Sequence, residues 1–227
     1  MLDYKKQFIE FIADEGILKF GEFTLKSGRI SPYFFNMGEC KTGAGLAKLA
    51  TYYAATIAEN IDCYNSVLFG PAYKGIPLMA TAAIKLAENH NIDIPICYNR
   101  KEAKDHGEGG SLIGAKINEN TNVILIDDVI TAGTAIGESK QILKANGNGK
   151  LSSVIIALDR CEVRTEGASL KSMQEIEEEN NIKIYPIVNI YEVLEHLYNN
   201  KINGKIYIGE KEKTSMENYL DKYGAKI

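Results

Sequence analysis

Residues 123–134 read VILIDDVITAGT. The apolar run Val123 to Ile126 suits a strand buried on both faces. Two adjacent acids, Asp127 and Asp128, stand at its carboxyl end, and Val129 and Ile130 lead into Thr131-Ala132-Gly133-Thr134, with Ala135 next, at the opening of a helix. Carboxylates at a sheet edge can accept hydrogen bonds from vicinal hydroxyls. The following loop does the opposite work, because Gly133 and small neighbours let backbone N–H groups close around a phosphate. Thr131 and Thr134 add hydroxyl donors, and the helix N-terminus adds partial positive charge. Together these fit one ribose phosphate. The plain alternative is that Asp-Asp ends a strand and Thr134 caps a helix; either half alone allows it, and the full string argues against it. No Gly-Lys-Ser/Thr follows the glycine and no Gly-x-Gly-x-x-Gly occurs, which sets aside a Walker A loop and a dinucleotide fingerprint. A receiver domain can present paired acids after a strand but has no use for the Thr-rich nest.

Outward from this stretch, apolar runs alternate with helical patterns: VLFG, then 74–89; IPICYN, then a Gly-rich gap; VILID, then 133–146; SVIIALD, then 169–180; IKIYPIV, then 190–199. This rhythm predicts an α/β fold with a mostly parallel central sheet flanked by helices. Ligands of such sheets sit beyond the carboxyl ends of the strands. Upstream, Phe8, Ile9, Phe11 and Ile12 place an amphipathic helix over 3–14, ended near Gly16, and 42–60 read as helical. Residues 17–40 read as short strands outside the main sheet. Residues 199–227 are polar and mixed, fit an extra strand and helix, and receive no chemistry. The expected organisation is a single domain over 1–227, with an N-terminal part (1–40), an α/β core (41–198) and a C-terminal extension (199–227).

The chain has 227 residues, 45% hydrophobic and 25% charged, as expected for one sizeable globular domain. Its net charge of −4 argues against a dedicated nucleic-acid partner, so an anionic ligand must be met by a local cluster of donors. No apolar run is long enough for a bilayer and no signal-like core follows the N-terminus, so no membrane partner and a cytoplasmic location are expected. Cys40, Cys63, Cys97 and Cys161 are widely spaced, with no zinc pattern, and read as reduced thiols.

Further segments carry chemistry. Residues 100–110, RKEAKDHGEGG, combine Arg100, Lys101, Lys104 and His106 with three nearby glycines, a cationic loop able to close over a polyphosphate; a solvated charged turn is the alternative. Gly70-Pro71-Ala72-Tyr73-Lys74-Gly75 follows a buried strand, where N–H groups and the Lys74 ammonium suit a pyrophosphate, or where it is only a tight turn. Arg160 follows another strand, and its planar fork suits a carboxylate. An ion pair with an acid such as Glu162 is its alternative. Phe34 and Phe35 can be core aromatics, and Lys26 can be a surface lysine.

The 123–134 string resembles the ribose-phosphate signature of the type I phosphoribosyltransferases. TLKSGR (24–29) with SPYFFN (31–36), GPAYKG (70–75), the 100–110 loop and Asp159-Arg160 resemble segments of the orotate phosphoribosyltransferases, and the likeness covers about residues 1–198. The resemblance implies the type I phosphoribosyltransferase fold with a small N-terminal hood, and transfer of ribose 5-phosphate from 5-phosphoribosyl 1-pyrophosphate to orotate. It implies that Lys26, Tyr73, Lys74, Arg100, Lys101, Lys104, His106 and residues Asp127 to Ala135 bind the phosphoribosyl donor. It implies that Phe34, Phe35, Thr131 and Arg160 bind orotate, with the hood's backbone and rings on the planar base. Asp127 and Asp128 would stabilise an oxocarbenium-like transition state, and Lys104 or His106 would protonate the leaving group. Mg²⁺ is the implied cofactor, held mainly by substrate and water, with no direct protein ligand assigned. The resemblance further implies a cis peptide in the 70–75 loop and a homodimer in which the 100–110 loop acts on the neighbouring subunit.

Two other readings compete. A purine or another pyrimidine as acceptor is opposed by the hood segment and Arg160. A non-catalytic metabolite sensor would need a DNA-binding module or a degraded catalytic loop, whereas Lys101, Lys104 and His106 are all present.

Overall fold

The computed structural model describes residues 1–25, 27–101, 111–130, 133–163 and 172–225. In chain order the elements are α1 (Asp3–Asp14), β1 (Leu18–Thr24), β2 (Ile30–Phe35), a short 3-10 turn (Met37–Glu39), α2 (Gly43–Asn60), β3 (Ser66–Gly70), α3 (Gly75–His90), β4 (Ile96–Asn99), β5 (Leu112–Gly114), β6 (Asn122–Ile126), α4 (Thr134–Ala145), β7 (Lys150–Asp159), α5 (Ser172–Asn180), β8 (Lys183–Asn189), α6 (Ile190–Leu197), β9 (Lys201–Ile202), β10 (Lys205–Ile206) and α7 (Glu210–Tyr223). They form two compact units, Met1–Gly45 with Leu158–Glu175 and Val188–Ile227, and Leu46–Ala157 with Ile176–Ile187.

The main sheet has six strands in the order β5-β4-β3-β6-β7-β8. β3 pairs in parallel with β4 and β6, and β6 with β7, as the alternating pattern requires. Val67 to Phe69 and Val123 to Ile126 are buried, which is why they read as unbroken apolar runs. Leu78, Met79, Ala82 and Leu86 form the buried stripe of α3, at helical spacing. β5 corrects the sequence reading, which left this stretch in a strandless gap. Its three residues are too few to show a period; the antiparallel pairing of Cys97 to Asn99 with Leu112 to Gly114 makes them a strand.

In the other unit β1 and β2 pair antiparallel as a separate two-stranded sheet, as expected for 17–40. β2 alternates strictly: Ser31, Tyr33 and Phe35 are buried while Ile30 and Phe34 are exposed. α1 buries Phe8, Ile9, Phe11, Ile12 and Ala13, and Lys5 pairs with Glu192 of α6 at 3.2 Å. A capping box between Asn189 and Glu192 starts α6. Residues 199–227 supply the antiparallel β9-β10 ladder and α7, which packs on β2 and buries Met216, Tyr219 and Leu220. No helix among the described residues is long and apolar enough to cross a membrane.

Candidate active site

Because β3, β4 and β6 run in parallel, their carboxyl ends share one sheet edge, and the loops of interest leave from it. After β3, the chain turns through 70–75 with its two glycines in close contact. A Cβ on Gly70 would stand 2.3 Å from the Gly75 carbonyl oxygen, and one on Gly75 would stand 2.5 Å from Pro71 Cδ. Only residues without side chains fit both places. The Ala72–Tyr73 peptide is cis, as the resemblance implies. The Ala72 N–H donates to Asn99 Oδ1 at 2.8 Å, so the last residue of β4, itself buried, holds the loop in place. Sequence reasoning missed Asn99, since an Asn after an apolar run carries no motif.

Lys74 extends from this loop to Asp128, with Nζ 3.4 Å from Oδ2, and its side chain is 72% exposed, free to leave for a ligand. Asp128 Oδ1 accepts from the Val129 N–H and Asp127 Oδ1 accepts from the Asp128 N–H, each at 2.8 Å. The two acids thus hold their own turn. The fully buried Tyr53 of α2 donates to the Asp127 carbonyl at 2.9 Å and fixes the turn from below. Burial, followed by the neighbouring Asp128 charge, pushes the Asp127 carboxyl up to about 7, while a backbone hydrogen bond and the Lys74 ammonium oppose the rise. A carboxylate made this reluctant to ionise gains from hydroxyl donors or from a cation. Gly133 follows with φ of +76° and leads into α4, whose first residue, Thr134, is exposed. That conformation is the one glycine adopts at little cost.

Arg100 and Lys101 begin the cationic segment, and the Lys101 ammonium lies 5.0 Å from the centre of the Tyr73 ring. Tyr73 is 67% exposed, which fits a ligand-facing residue rather than a core aromatic. Lys26, Lys104, His106, Thr131 and Ala132, all sequence candidates, lie outside the described residues. Among the described residues no three or more His, Cys, Asp or Glu side chains converge as a metal cage. The donors present, two hard carboxylates, suit Mg²⁺ rather than a soft metal.

The remaining candidates belong to the hairpin unit. Phe34 stacks on Phe23 with ring centres 5.5 Å apart and keeps an exposed face, whereas Phe35 points inward. Arg160 donates from Nε to Glu162 at 2.7 Å and from Nη2 to Ser31 Oγ at 3.1 Å, and its guanidinium lies 4.4 Å from the centre of the Tyr33 ring. The ion pair offered as its alternative role is therefore present. Burial works against the charge of Arg160, and Tyr33, Glu162 and Tyr219 outweigh it, so its pKa is raised. Away from these residues, a concavity of about 530 Å³ lined by Lys6, His196 and Asn200, among others, contains none of the sequence candidates.

Paired acids and a glycine-built loop at the carboxyl edge of a parallel sheet define an enzyme of phosphorylated sugars. The model of the phosphoribosyl transferase domain matches residues 38–187. An orotate phosphoribosyltransferase of Lachnoclostridium phytofermentans is 46% identical over 226 residues, covering 100% of both chains. One from Pseudomonas fluorescens is 55% identical over 197 residues, covering 87% of this chain and 90% of that protein. Among solved structures, the orotate phosphoribosyltransferase of Francisella tularensis superposes with a TM-score of 0.81 at 42% identity, over 96% of this chain and 100% of that one. The chain belongs to the phosphoribosyl transferase family, in its orotate phosphoribosyltransferase branch, and has the type I fold.

Proposed function

We propose that this enzyme transfers ribose 5-phosphate from 5-phosphoribosyl 1-pyrophosphate to orotate, giving orotidine 5′-monophosphate and pyrophosphate in pyrimidine biosynthesis. The observation that carries the reading is the Asp127-Asp128 pair, bridged through Lys74 to a loop that Asn99 holds against the end of β4. Carboxylates for a ribose diol and a cation for a pyrophosphate meet there in one place.

In this assignment orotate N1 gives up its proton and forms a bond to the anomeric carbon as the bond from that carbon to the pyrophosphate oxygen breaks, and the departing oxygen takes up one proton in return. Asp127 and Asp128 hold the ribose hydroxyls, and their charge favours the positive sugar of an oxocarbenium-like transition state. Asp127 and Asp128 would orient the diol beside Mg²⁺, which when bound would supply neutralising charge. Lys74 leaves Asp128 for the pyrophosphate, and Tyr73, Arg100 and Lys101 line the same approach. Lys26 reaches the phosphates. Residues Val129 to Ala135 cradle the 5-phosphate, and Lys104 or His106 protonates the departing oxygen. Orotate takes its carboxylate contact from Arg160, its stacking from Phe34, a hydrogen bond from Thr131 and backbone contact from the 34–35 segment, Phe35 being buried. The enzyme works as a cytoplasmic homodimer whose 100–110 loop acts on the neighbouring subunit.

A spectrophotometric assay of orotate consumption with 5-phosphoribosyl 1-pyrophosphate and Mg²⁺ tests the reading. Turnover of orotate is expected. Turnover of hypoxanthine or uracil in its place would overturn the choice of base.

A further inference from the structure

Glu162 is the centre of a polar cluster that no motif announces. Its Oε1 accepts from Arg160 Nε at 2.7 Å, Tyr219 OH at 3.0 Å and Tyr33 OH at 3.3 Å, and its Oε2 accepts from Arg29 Nη1 at 3.1 Å. A carboxylate has about four acceptor positions, so this one is filled. Burial, with Glu162 adding to it, raises the pKa of both tyrosines, so each stays a hydroxyl donor. Two guanidiniums share this carboxylate. The side chains of Arg29, Arg160 and Glu162 are only 19%, 14% and 13% exposed.

The C-terminal segment builds this cluster from the other side. Val163 N–H donates to the Tyr223 carbonyl and Ala225 N–H to the Cys161 carbonyl, both at 2.9 Å, so the backbone on each side of Glu162 is tied to residues 223–225. The Arg29 guanidinium lies 4.7 Å from the centre of the Tyr223 ring, and the Tyr219 ring meets that of Tyr33 edge-on at 6.0 Å. Arg29, Tyr33 and Tyr219 each lead to Arg160 within one contact or two. A helix needed only to cover apolar surface would not require a hydroxyl aimed at the carboxylate that holds an arginine.

We propose that α7 and the residues after it, acting through Glu162, position the Arg160 guanidinium for the carboxylate of the base, which makes Glu162 and Tyr219 positioning residues for orotate recognition. The proposal rests on the assignment of Arg160 to that carboxylate. It gives residues 219–225 a part in substrate selection rather than in covering the fold alone.

The test uses the full-length enzyme and separates KM for orotate from KM for 5-phosphoribosyl 1-pyrophosphate. Tyr219→Phe keeps the ring and removes one hydrogen bond to a charged group, so KM for orotate is expected to rise about tenfold. KM for the phosphoribosyl donor and the thermal midpoint should stay near the wild-type values. Glu162→Gln should act more strongly in the same direction; if it does not fold, Tyr219→Phe decides. In an Arg160→Ala background Tyr219→Phe should add nothing, since the residue it acts through is gone. An unchanged KM for orotate in Tyr219→Phe, an equal rise in both KM values, or full additivity with Arg160→Ala overturns the positioning role. If Arg160→Ala itself leaves KM for orotate unchanged, the assignment of Arg160 fails and the proposal falls with it. Orotate transfer by the wild type is read separately.

Discussion

The side-chain oxygen of Asn99 accepts a hydrogen bond from the backbone N–H of Ala72 at 2.8 Å, joining the end of β4 to the loop after β3. Replacing Asn99 by Ala leaves that donor unpaired and releases the loop that presents Lys74. KM for 5-phosphoribosyl 1-pyrophosphate should rise about tenfold, the worth of roughly one good hydrogen bond. KM for orotate should change much less. Steady-state kinetics with each substrate varied in turn will show whether the effect is confined to the donor.

Asp127 makes the ligand-free enzyme sensitive to pH. Its carboxyl is raised by burial and then by Asp128 from 3.8 to about 7, so between those values the folded state holds a proton that the unfolded state has lost. The sign follows: this group favours folding least at high pH, and stability declines as pH rises from about 4 through about 7. Asp127→Asn should remove that decline and stabilise the ligand-free protein at pH 8 by roughly 2 kcal/mol while abolishing turnover. Denaturant unfolding of both proteins at several pH values measures it; a wild-type stability that rises over this window would contradict the account.

Gly75→Ala should be costly. The new Cβ would sit 2.5 Å from Pro71 Cδ and 2.9 Å from the Gly70 carbonyl carbon, so backbone rather than a flexible side chain must move. A loss of about 2 to 3 kcal/mol is expected, typical of overpacking against a rigid neighbour. Turnover should fall with it because the 70–75 loop that carries Lys74 shifts. Thermal unfolding together with kcat tests both parts.

Lys104→Ala is expected to lower kcat by a factor of about one hundred or more while leaving both KM values within a few-fold. In the proposed assignment Lys104 meets charge developing on the leaving group, and so acts on the transition state and hardly on the bound substrates. Equal losses in kcat and in substrate affinity would make it a simple binding residue.

The sequence by itself determined the parallel core, the place of the paired acids and the glycine at its edge, and the class of enzyme. Runs such as Val123 to Ile126, buried on both sides, have to be apolar throughout, and the acids and the glycine after them sit within a few residues of the strand they follow. Local spacing is enough to read such features. It is not enough for β5, whose three residues become a strand only by pairing with β4. Nor does it show Asn99 reaching Ala72 across 27 residues, or Glu162 gathering Tyr219 from 57 residues away and Tyr33 from 129. An Asn, a Glu or a Tyr carries no mark of its partner in its neighbours, so only the tertiary structure could decide these contacts. The same holds for the partners of the extension 199–227, whose strand and helix fit its pattern while its contacts do not show in the string. Folded, it places a tyrosine hydroxyl on the carboxylate that holds Arg160.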